Sequence, residues 1–212
     1  MPCLGIFEYK LEINKSKSKC IIFNRRERTN ETTITLDEDT FEIVEQYRYL
    51  GHIIQYNLSD ISDVQLRLNS FYAKFNWLFR NFRNTSIDVF YFLFRAFCTP
   101  EYGLSLWNLE EIHNKRIFRT FEVAFHNALK KILGVSISTS NHAVADIFNQ
   151  LLLIHYITLI QIRYYKRIFK SNNVIIKSSL NALKQGCFHR TLYDRMQDKY
   201  GCDLRENGMD IL

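Results

Sequence analysis

Seven large apolar residues recur at alternating intervals of three and four between residues 61 and 82. An α-helix turns once every 3.6 residues, so this spacing keeps all seven side chains on one side of a helix. Ser59 or Asp60 can cap its start, and Asp60 and Asp63 lie near the positive end of its dipole. The spacing predicts a long helix whose apolar stripe faces a core. The stripe is Ile61, Val64, Leu68, Phe71, Phe75, Leu78 and Phe82.

The residues before this helix favour strands and turns. "TTITL" at 32–36 and "FEIV" at 41–44 flank an acidic turn, which predicts a hairpin. Two short strands are predicted around the basic turn within residues 11–23, the second of them from Cys20 to Phe23. "YRYLGHII" at 47–54 predicts one more strand, with Gly51 either in a bulge or at a close backbone approach.

Helical patterns fill the rest of the chain. A second helix is predicted from about Ser86 to Thr99, and a third from about Ile112 to Leu133, ending at Gly134. Further helices are predicted at about 141–150, 154–171, 174–185 and 190–199. We therefore expect an α+β fold that is predominantly α, with a small antiparallel β element followed by a helical bundle.

The charge is distributed unevenly along the chain, whose formal net charge is +6. Residues 29–63 carry one basic and eight acidic side chains, whereas residues 64–135 carry ten basic and five acidic ones. A polyanion such as nucleic acid would be attracted to the helical body. A solvated basic surface without a partner explains the same numbers almost as well.

Several functional classes are disfavoured. The five cysteines are scattered, which fits a reducing compartment, and the apolar run at 151–160 is too short to span a bilayer. We expect an intracellular protein, cytoplasmic or nuclear, with no membrane partner and no small-molecule substrate. The acidic turn at 37–39 lacks the Gly and distal Glu of a calcium loop, and Cys187, His189 and Cys202 lack a fourth zinc ligand.

Seven short motifs occur in an informative order. Asn14, Lys17-Ser18-Lys19 and the apolar run Cys20–Phe23 precede an acidic hairpin and then Tyr47-Arg48-Tyr49-Leu50-Gly51. The later motifs are Asp60-Ile61 with Arg67-Leu68, Phe75 and Leu78; Leu93–Cys98; Tyr102-Gly103; Leu106-Trp107; and "AFHNALKKILGVSISTSNH" at 124–142. In this order they resemble the C-terminal part of the reverse transcriptase of a non-LTR (LINE-type, jockey-like) retrotransposon. Phe125, His126 and Ser140 depart from the family's usual Trp, Arg and Thr.

The resemblance implies a role for each matching residue. Lys17 would lie near the incoming triphosphate and act as a proton donor only in an intact polymerase. Tyr49, Leu50 and Gly51 would form the primer grip, and Arg67 and Lys74 would contact the phosphate backbone from the first thumb helix. The implied nucleic-acid-binding residues are Lys17, Lys19, Tyr49, Leu50, Gly51, Arg67 and Lys74. The implied domains are the end of the palm at 1–57, the thumb at 58–135 and a helical C-terminal extension at 136–212.

The family's catalytic carboxylates lie upstream of the position that Asn14 matches, and this chain begins at Met1. We therefore expect a truncated reverse transcriptase that binds RNA template and DNA primer but does not polymerise by itself, because two-metal phosphoryl transfer needs those carboxylates to hold Mg²⁺. No cofactor is expected in this chain. The alternative is a helical protein-interaction or structural domain with an incidental basic surface.

Overall fold

The computed structural model describes residues 14, 17–23, 33–36, 39–99, 103–176 and 178. Within these residues the chain is mostly helical, with two small antiparallel β-hairpins ahead of six helices. The expected fold class is confirmed. The chain divides into two compact units, Met1–Gly103 with Trp107–Leu152 and Leu104–Leu106 with Leu153–Leu212. The division at residues 57 and 135 stays a prediction.

Each hairpin consists of two four-residue strands. Strand β1 (Thr33–Leu36) pairs with β2 (Asp39–Glu42), with Thr33 opposite Glu42, which confirms the hairpin predicted from the sequence. Residues 37 and 38 of its acidic turn lie outside the described residues. Strand β3 (Gln46–Tyr49) pairs with β4 (His52–Gln55), with Tyr49 opposite His52.

Two strand predictions were wrong. Residues 47–54 form the greater part of a hairpin rather than one strand, because the chain reverses at Leu50 and Gly51. The segment from Cys20 to Phe23 is not a strand: Cys20 makes an isolated parallel bridge to Ile43, and Phe23 is 49% exposed. An apolar run can suggest a strand, but without a neighbour along its length it makes no ladder. The strand predicted before it, at 11–13, lies outside the described residues.

Helix α1 (Ile61–Phe82) carries the predicted apolar stripe. The five middle members are buried, namely Val64, Leu68, Phe71, Phe75 and Leu78. Ile61 is 37% exposed, because it lies at the end of the helix beyond the core. Asp60 occupies the N-cap position but makes no side-chain capping bond. Its carboxylate instead accepts a hydrogen bond from the Asn108 amide at 2.7 Å, whereas the hydroxyl of Ser59, the other predicted cap, accepts from the Ile61 amide at 3.5 Å.

Helices α2 (Ile87–Phe97), α3 (Leu109–Ile112) and α4 (Arg116–Leu133) follow. Ser86 caps α2 by accepting a bond from the Val89 amide. The third predicted helix corresponds to α4 and begins at Arg116 rather than Ile112, since Lys115 adopts an extended backbone just before it. Gly134 ends α4 with a left-handed φ of 71°, as predicted.

Rings from α1, α2 and α4 meet in a buried cluster that we call the aromatic core. The centroid of Phe71 lies 6.2 Å from that of Phe94 in an edge-to-face arrangement and 5.7 Å from that of Phe121. The centroids of Phe94 and Phe125 lie 5.5 Å apart. Such pairs add about 0.5–1.5 kcal/mol beyond the burial of their area. The aromatic core is Phe71, Phe75, Phe94, Phe121 and Phe125.

Helix α5 (Asn141–Ile147) completes the described part of the first unit, where Tyr91 stacks on Phe148 with centroids 4.1 Å apart. In the second unit, α6 (Leu153–Lys170) packs with a 3₁₀ turn at Leu104–Leu106. None of the helices in the described ranges is both long and apolar enough to cross a bilayer. The helix predicted at 174–185 begins at Val174, its remainder is largely undescribed, and the one at 190–199 is undescribed.

Candidate nucleic-acid interface

The tip of the β3–β4 hairpin is a two-residue turn with an unusual residue in it. Leu50 has a φ of 48° and Gly51 a φ of 81°, and positive φ at both central residues is the signature of a type I′ turn. This turn follows the twist of the strands, but a leucine adopts it only at a cost in strain. Gly51 is therefore a turn residue and not part of a bulge. The turn leaves Tyr49 58% and Leu50 71% exposed.

The Lys17 segment is attached to the same hairpin. The backbone amide of Lys17 donates to the side chain of Asn14 at 3.2 Å, and the hydroxyl of Tyr47 donates to the carbonyl of Lys17 at 2.7 Å. Lys17 itself is exposed. The structure thus connects two predicted site residues, because the segment that carries Lys17 is bonded to strand β3, and β3 ends at Tyr49.

Lys19 is engaged with a carboxylate. Its Nζ pairs with Oε2 of Glu42 on strand β2 at 2.5 Å, and its side chain is 28% exposed. A phosphate would have to compete with Glu42 for this ammonium group. Lys17 is the better placed of the two lysines to meet a polyanion.

Asp63 is the centre of a buried polar cluster where the hairpin meets α1. Its side chain is fully buried. It accepts hydrogen bonds from the Ile53 amide at 3.1 Å and from the indole N–H of Trp107 at 2.8 Å. Nε of Arg67 lies 3.5 Å from the same carboxylate. We call the set His52, Asp63, Arg67 and Trp107 the junction network.

His52 lies between two carboxylates. Its Nδ1 is 3.1 Å from Oδ2 of Asp63, and its Nε2 is 3.6 Å from Oδ1 of Asp60. Asp60 and then Asp63 raise the pKa of His52 to about 9, although burial opposes them. Burial would raise the pKa of Asp63, but the bonds from His52, Trp107 and the Ile53 amide outweigh it and lower that pKa. The junction network is therefore an imidazolium, a guanidinium and a carboxylate at neutral pH.

Further bonds attach the start of α1 to α3. Besides the bond from the Asn108 amide to Asp60, the hydroxyl of Ser59 donates to Oε1 of Glu111 at 3.0 Å. Ser59 and Asp60 are each 8% exposed. The hairpin, the start of α1 and the segment around α3 are thus joined by polar contacts in one small region.

Arg67 is enclosed rather than projecting into solvent. Its Nη2 donates to the carbonyl of Gly51 at 3.1 Å, and its side chain is 18% exposed. Gly103, with a φ of +80°, also lies close: a Cβ at this position would be 3.1 Å from Nη2 of Arg67 and 3.3 Å from Nδ1 of His52. The structure therefore brings two predicted site residues, Gly51 and Arg67, into direct contact with each other.

The outward face of α1 is basic and aromatic. Residues 64–87 contain no Asp or Glu. Lys74, Arg80 and Arg83 are exposed, and between them Trp77 is 57% exposed. Tyr72 is 42% exposed on the same helix. The outward face also carries the amides of Asn69, Asn76 and Asn81.

Lys74 lies near the C-terminal end of α2. Burial raises the pKa of the Cys98 thiol to about 11, and the positive charge of Lys74 opposes that rise. Lys74 is seven residues from Arg67, which corresponds to about 10 Å along the helix. The predicted pair therefore differs in environment, with Arg67 enclosed and Lys74 exposed.

The carboxylates of this region do not suit Mg²⁺. Oxygens of Asp60 and Asp63 already accept from N–H donors of Asn108 and Trp107 and face two cationic side chains, whereas Mg²⁺ needs free carboxylate oxygens and water. Across the described residues, no group of three or more His, Cys, Asp or Glu side chains is placed to hold a metal ion.

Sequence reasoning missed His52, Asp63 as an acceptor, and Trp107. The signal for Trp107 was its motif, Leu106-Trp107, but nothing in the sequence pairs it with a carboxylate 44 positions away.

No protein-family model, curated protein or solved structure matches the chain.

Proposed function

We propose that this chain is the palm-end and thumb part of a non-LTR reverse transcriptase and that it binds the backbone of a primer–template duplex. The observation that carries the proposal is the outward face of α1, where exposed cations alternate with amides and rings and acidic residues are absent from 64 to 87. Phosphates accept from cations and amides without regard to base sequence, and exposed rings offer contacts with sugars and bases.

The dimensions of α1 agree with such a partner. A helix of 22 residues is about 33 Å long, close to the length of one turn of a duplex. Lys74, Arg80 and Arg83 span nine residues of it, or about 14 Å along the helix axis.

The hairpin tip supports the same proposal. Tyr49 and Leu50 present exposed apolar surface at the end of a hairpin that the junction network joins to α1. A primer end held at the tip would continue along the helix that anchors the tip. The order of motifs in the sequence, with the tip at Tyr49-Leu50-Gly51, is what the family resemblance implies for a primer grip.

The test is a salt titration of binding to a duplex of RNA and DNA. Three phosphate contacts give a log–log slope of about −2.7, so affinity should fall about 40-fold between 50 and 200 mM salt. Replacing Lys74, Arg80 and Arg83 together by Ala should remove most of that slope. The matched control replaces Arg116 and Arg119, exposed cations on α4, and should leave most of the slope in place. A wild-type slope near zero would refute the proposal.

A protein-interaction domain is the second candidate, and one observation favours it. Helix α2 exposes several apolar side chains, with Phe92 at 71%, Phe97 at 55% and Val89 at 49%. Such surface is uncommon on a protein that works alone. A domain that binds only protein would show no salt slope with the duplex. Replacing Phe92 by Ser would weaken its association with a protein partner and leave duplex binding unchanged.

A further inference from the structure

Three consecutive residues of the hairpin are attached to one turn of α1. The Gly51 carbonyl accepts from Nη2 of Arg67, the His52 ring lies 3.1 Å from Asp63, and the Ile53 amide donates to Asp63. Asp63 and Arg67 are four residues apart and form an ion pair on the helix. The hairpin tip is therefore fixed to the helix by a carboxylate and a guanidinium acting together.

The bond from Arg67 gives the Gly51 carbonyl a partner that the hairpin itself does not supply. Gly51 lies outside both strands, so the β3–β4 ladder does not use its carbonyl. Leu50, which precedes Gly51 in the same turn, has a left-handed conformation that is strained for a leucine. A strained turn persists when surrounding contacts over-determine it, and Arg67 supplies one directly at the turn.

We infer that Arg67 is a positioning residue: its guanidinium bridges the Gly51 carbonyl and the Asp63 carboxylate and so fixes the Tyr49–Leu50 tip, and it does not itself contact phosphate. This inference rests on the proposed function for its binding consequence, because the tip is what meets the primer end. It replaces the phosphate contact that the family resemblance implied for Arg67.

The surroundings of Arg67 favour positioning over phosphate contact. The guanidinium is mostly shielded from solvent and lies beside a buried carboxylate and close to Gly103. Its Nε and Nη2 already donate to Asp63 and to the Gly51 carbonyl. Lys74, by contrast, is exposed.

The binding experiment compares Arg67→Ala, Arg67→Lys and Lys74→Ala in the salt titration described above. Lys74→Ala should lower the magnitude of the slope by about 0.9, the loss of one phosphate contact. Arg67→Ala should weaken binding roughly three- to tenfold and leave the slope unchanged, because it removes no phosphate contact. Arg67→Lys should behave like Arg67→Ala, since one ammonium group cannot reproduce the planar fork that joins Asp63 to Gly51.

Gly103→Ala is the second variant, and it keeps every charge. A methyl group here would lie 3.1 Å from Nη2 of Arg67, so the guanidinium would have to shift by a few tenths of an ångström. Binding should therefore weaken less than in Arg67→Ala and keep the same slope. In a protein that already carries Tyr49→Ala and Leu50→Ala, Arg67→Ala should cause no further loss. Full binding by Arg67→Lys, together with a smaller slope in Arg67→Ala, would show that Arg67 contacts phosphate and would overturn the inference.

Amide hydrogen exchange in the free protein tests the positioning independently of nucleic acid. Arg67→Ala and Arg67→Lys should speed exchange at Gly51, His52 and Ile53, whereas Lys74→Ala should not. Unchanged exchange at Phe121 and Phe125 will show that the fold is intact. If the wild-type protein binds no duplex, the proposed function fails while this measurement still decides the role of Arg67. Unchanged exchange at residues 51–53 in both Arg67 variants would overturn it.

Discussion

Two histidines that are largely shielded from solvent show how differently two regions of the first unit are built. At the junction network, Asp60 and Asp63 raise the pKa of His52 to about 9. On α4, where His126 packs beside Phe125 at the edge of the aromatic core, burial lowers the pKa of His126, and the charges of Lys130 and His142 lower it further. One imidazole is held charged and the other neutral.

The difference comes from the neighbours and not from burial itself. The side chain of His52 is 12% exposed and His126 is 4% exposed, so both are shielded from water. Carboxylates surround the first, whereas rings and cations surround the second. The aromatic core is stabilised by contacts that do not depend on pH, and the junction network by contacts that do. Changes of side chain and of pH should therefore separate the two regions.

The largest effect is expected from Phe75→Ala, which leaves a cavity in the aromatic core. Phe75 is 6% exposed and packs on Phe71 and Phe94. Unfolding by urea should show a loss of about 3–5 kcal/mol, equal at pH 6 and pH 9. Asn76→Ala, next to it on the exposed face, should cost about 0.5 kcal/mol or less. An unchanged urea midpoint for Phe75→Ala would contradict the assignment of the core.

The next effect is a loss of stability at alkaline pH from His52. Its pKa is about 9 in the folded protein and about 6.5 when unfolded, so its contribution is complete below pH 6.5 and is lost as pH rises through 9. Integrating this shift gives about 3 kcal/mol. Unfolding free energies measured from pH 6 to 9 should fall by this amount in the wild type and in Phe75→Ala. They should stay nearly level in His52→Gln.

The loss of stability at acid pH should depend on His126. Because the pKa of His126 is lowered, its contribution is present above pH 6.5 and is lost as pH falls towards the lowered value. In His126→Gln the unfolding free energy should therefore fall less steeply just below pH 6.5, and its decrease at alkaline pH should be unaltered. If His52→Gln instead had this effect at acid pH, the two assignments would be reversed.

The two tryptophans give a third comparison. Trp107→Phe removes the indole N–H that donates to buried Asp63, and it should cost about 2 kcal/mol, since a bond to a charged group is lost. Trp77→Phe changes an exposed ring and should cost about 0.5 kcal/mol or less. Urea unfolding of both variants measures the difference. Equal costs would mean that the bond to Asp63 contributes nothing net.

The smallest effect should separate the two hairpins. Strand β4 is anchored to α1 through the Ile53 amide, whereas Thr33, Ile34 and Thr35 of β1 are exposed. A small isolated sheet is marginal in water. Amides paired between β1 and β2 should exchange roughly tenfold faster than those paired between β3 and β4, and both faster than α4. Equal protection in the two hairpins would show that the junction network does not stabilise β3–β4.

The aromatic core was more predictable from the sequence than the junction network, for a physical reason. The stripe from Val64 to Leu78 follows from helix periodicity alone, and the end of α4 follows from Gly134, because both depend on residues close in the chain. The acceptor role of Asp63 depends on Ile53 and Trp107, which reach it from 10 residues before and 44 residues after. Spacing at the helix start assigned Asp63 to the dipole, and the family resemblance assigned Arg67 to a phosphate contact.

Positions 103 and 134 should differ in how well they tolerate replacement of their glycines. Both have positive φ, but a Cβ on Gly134 would meet nothing within 4 Å, so asparagine could replace it there with modest strain. At Gly103 the same change would add a close contact with Arg67 to the strain. A library of random substitutions selected for folding should therefore keep glycine more often at position 103 than at position 134.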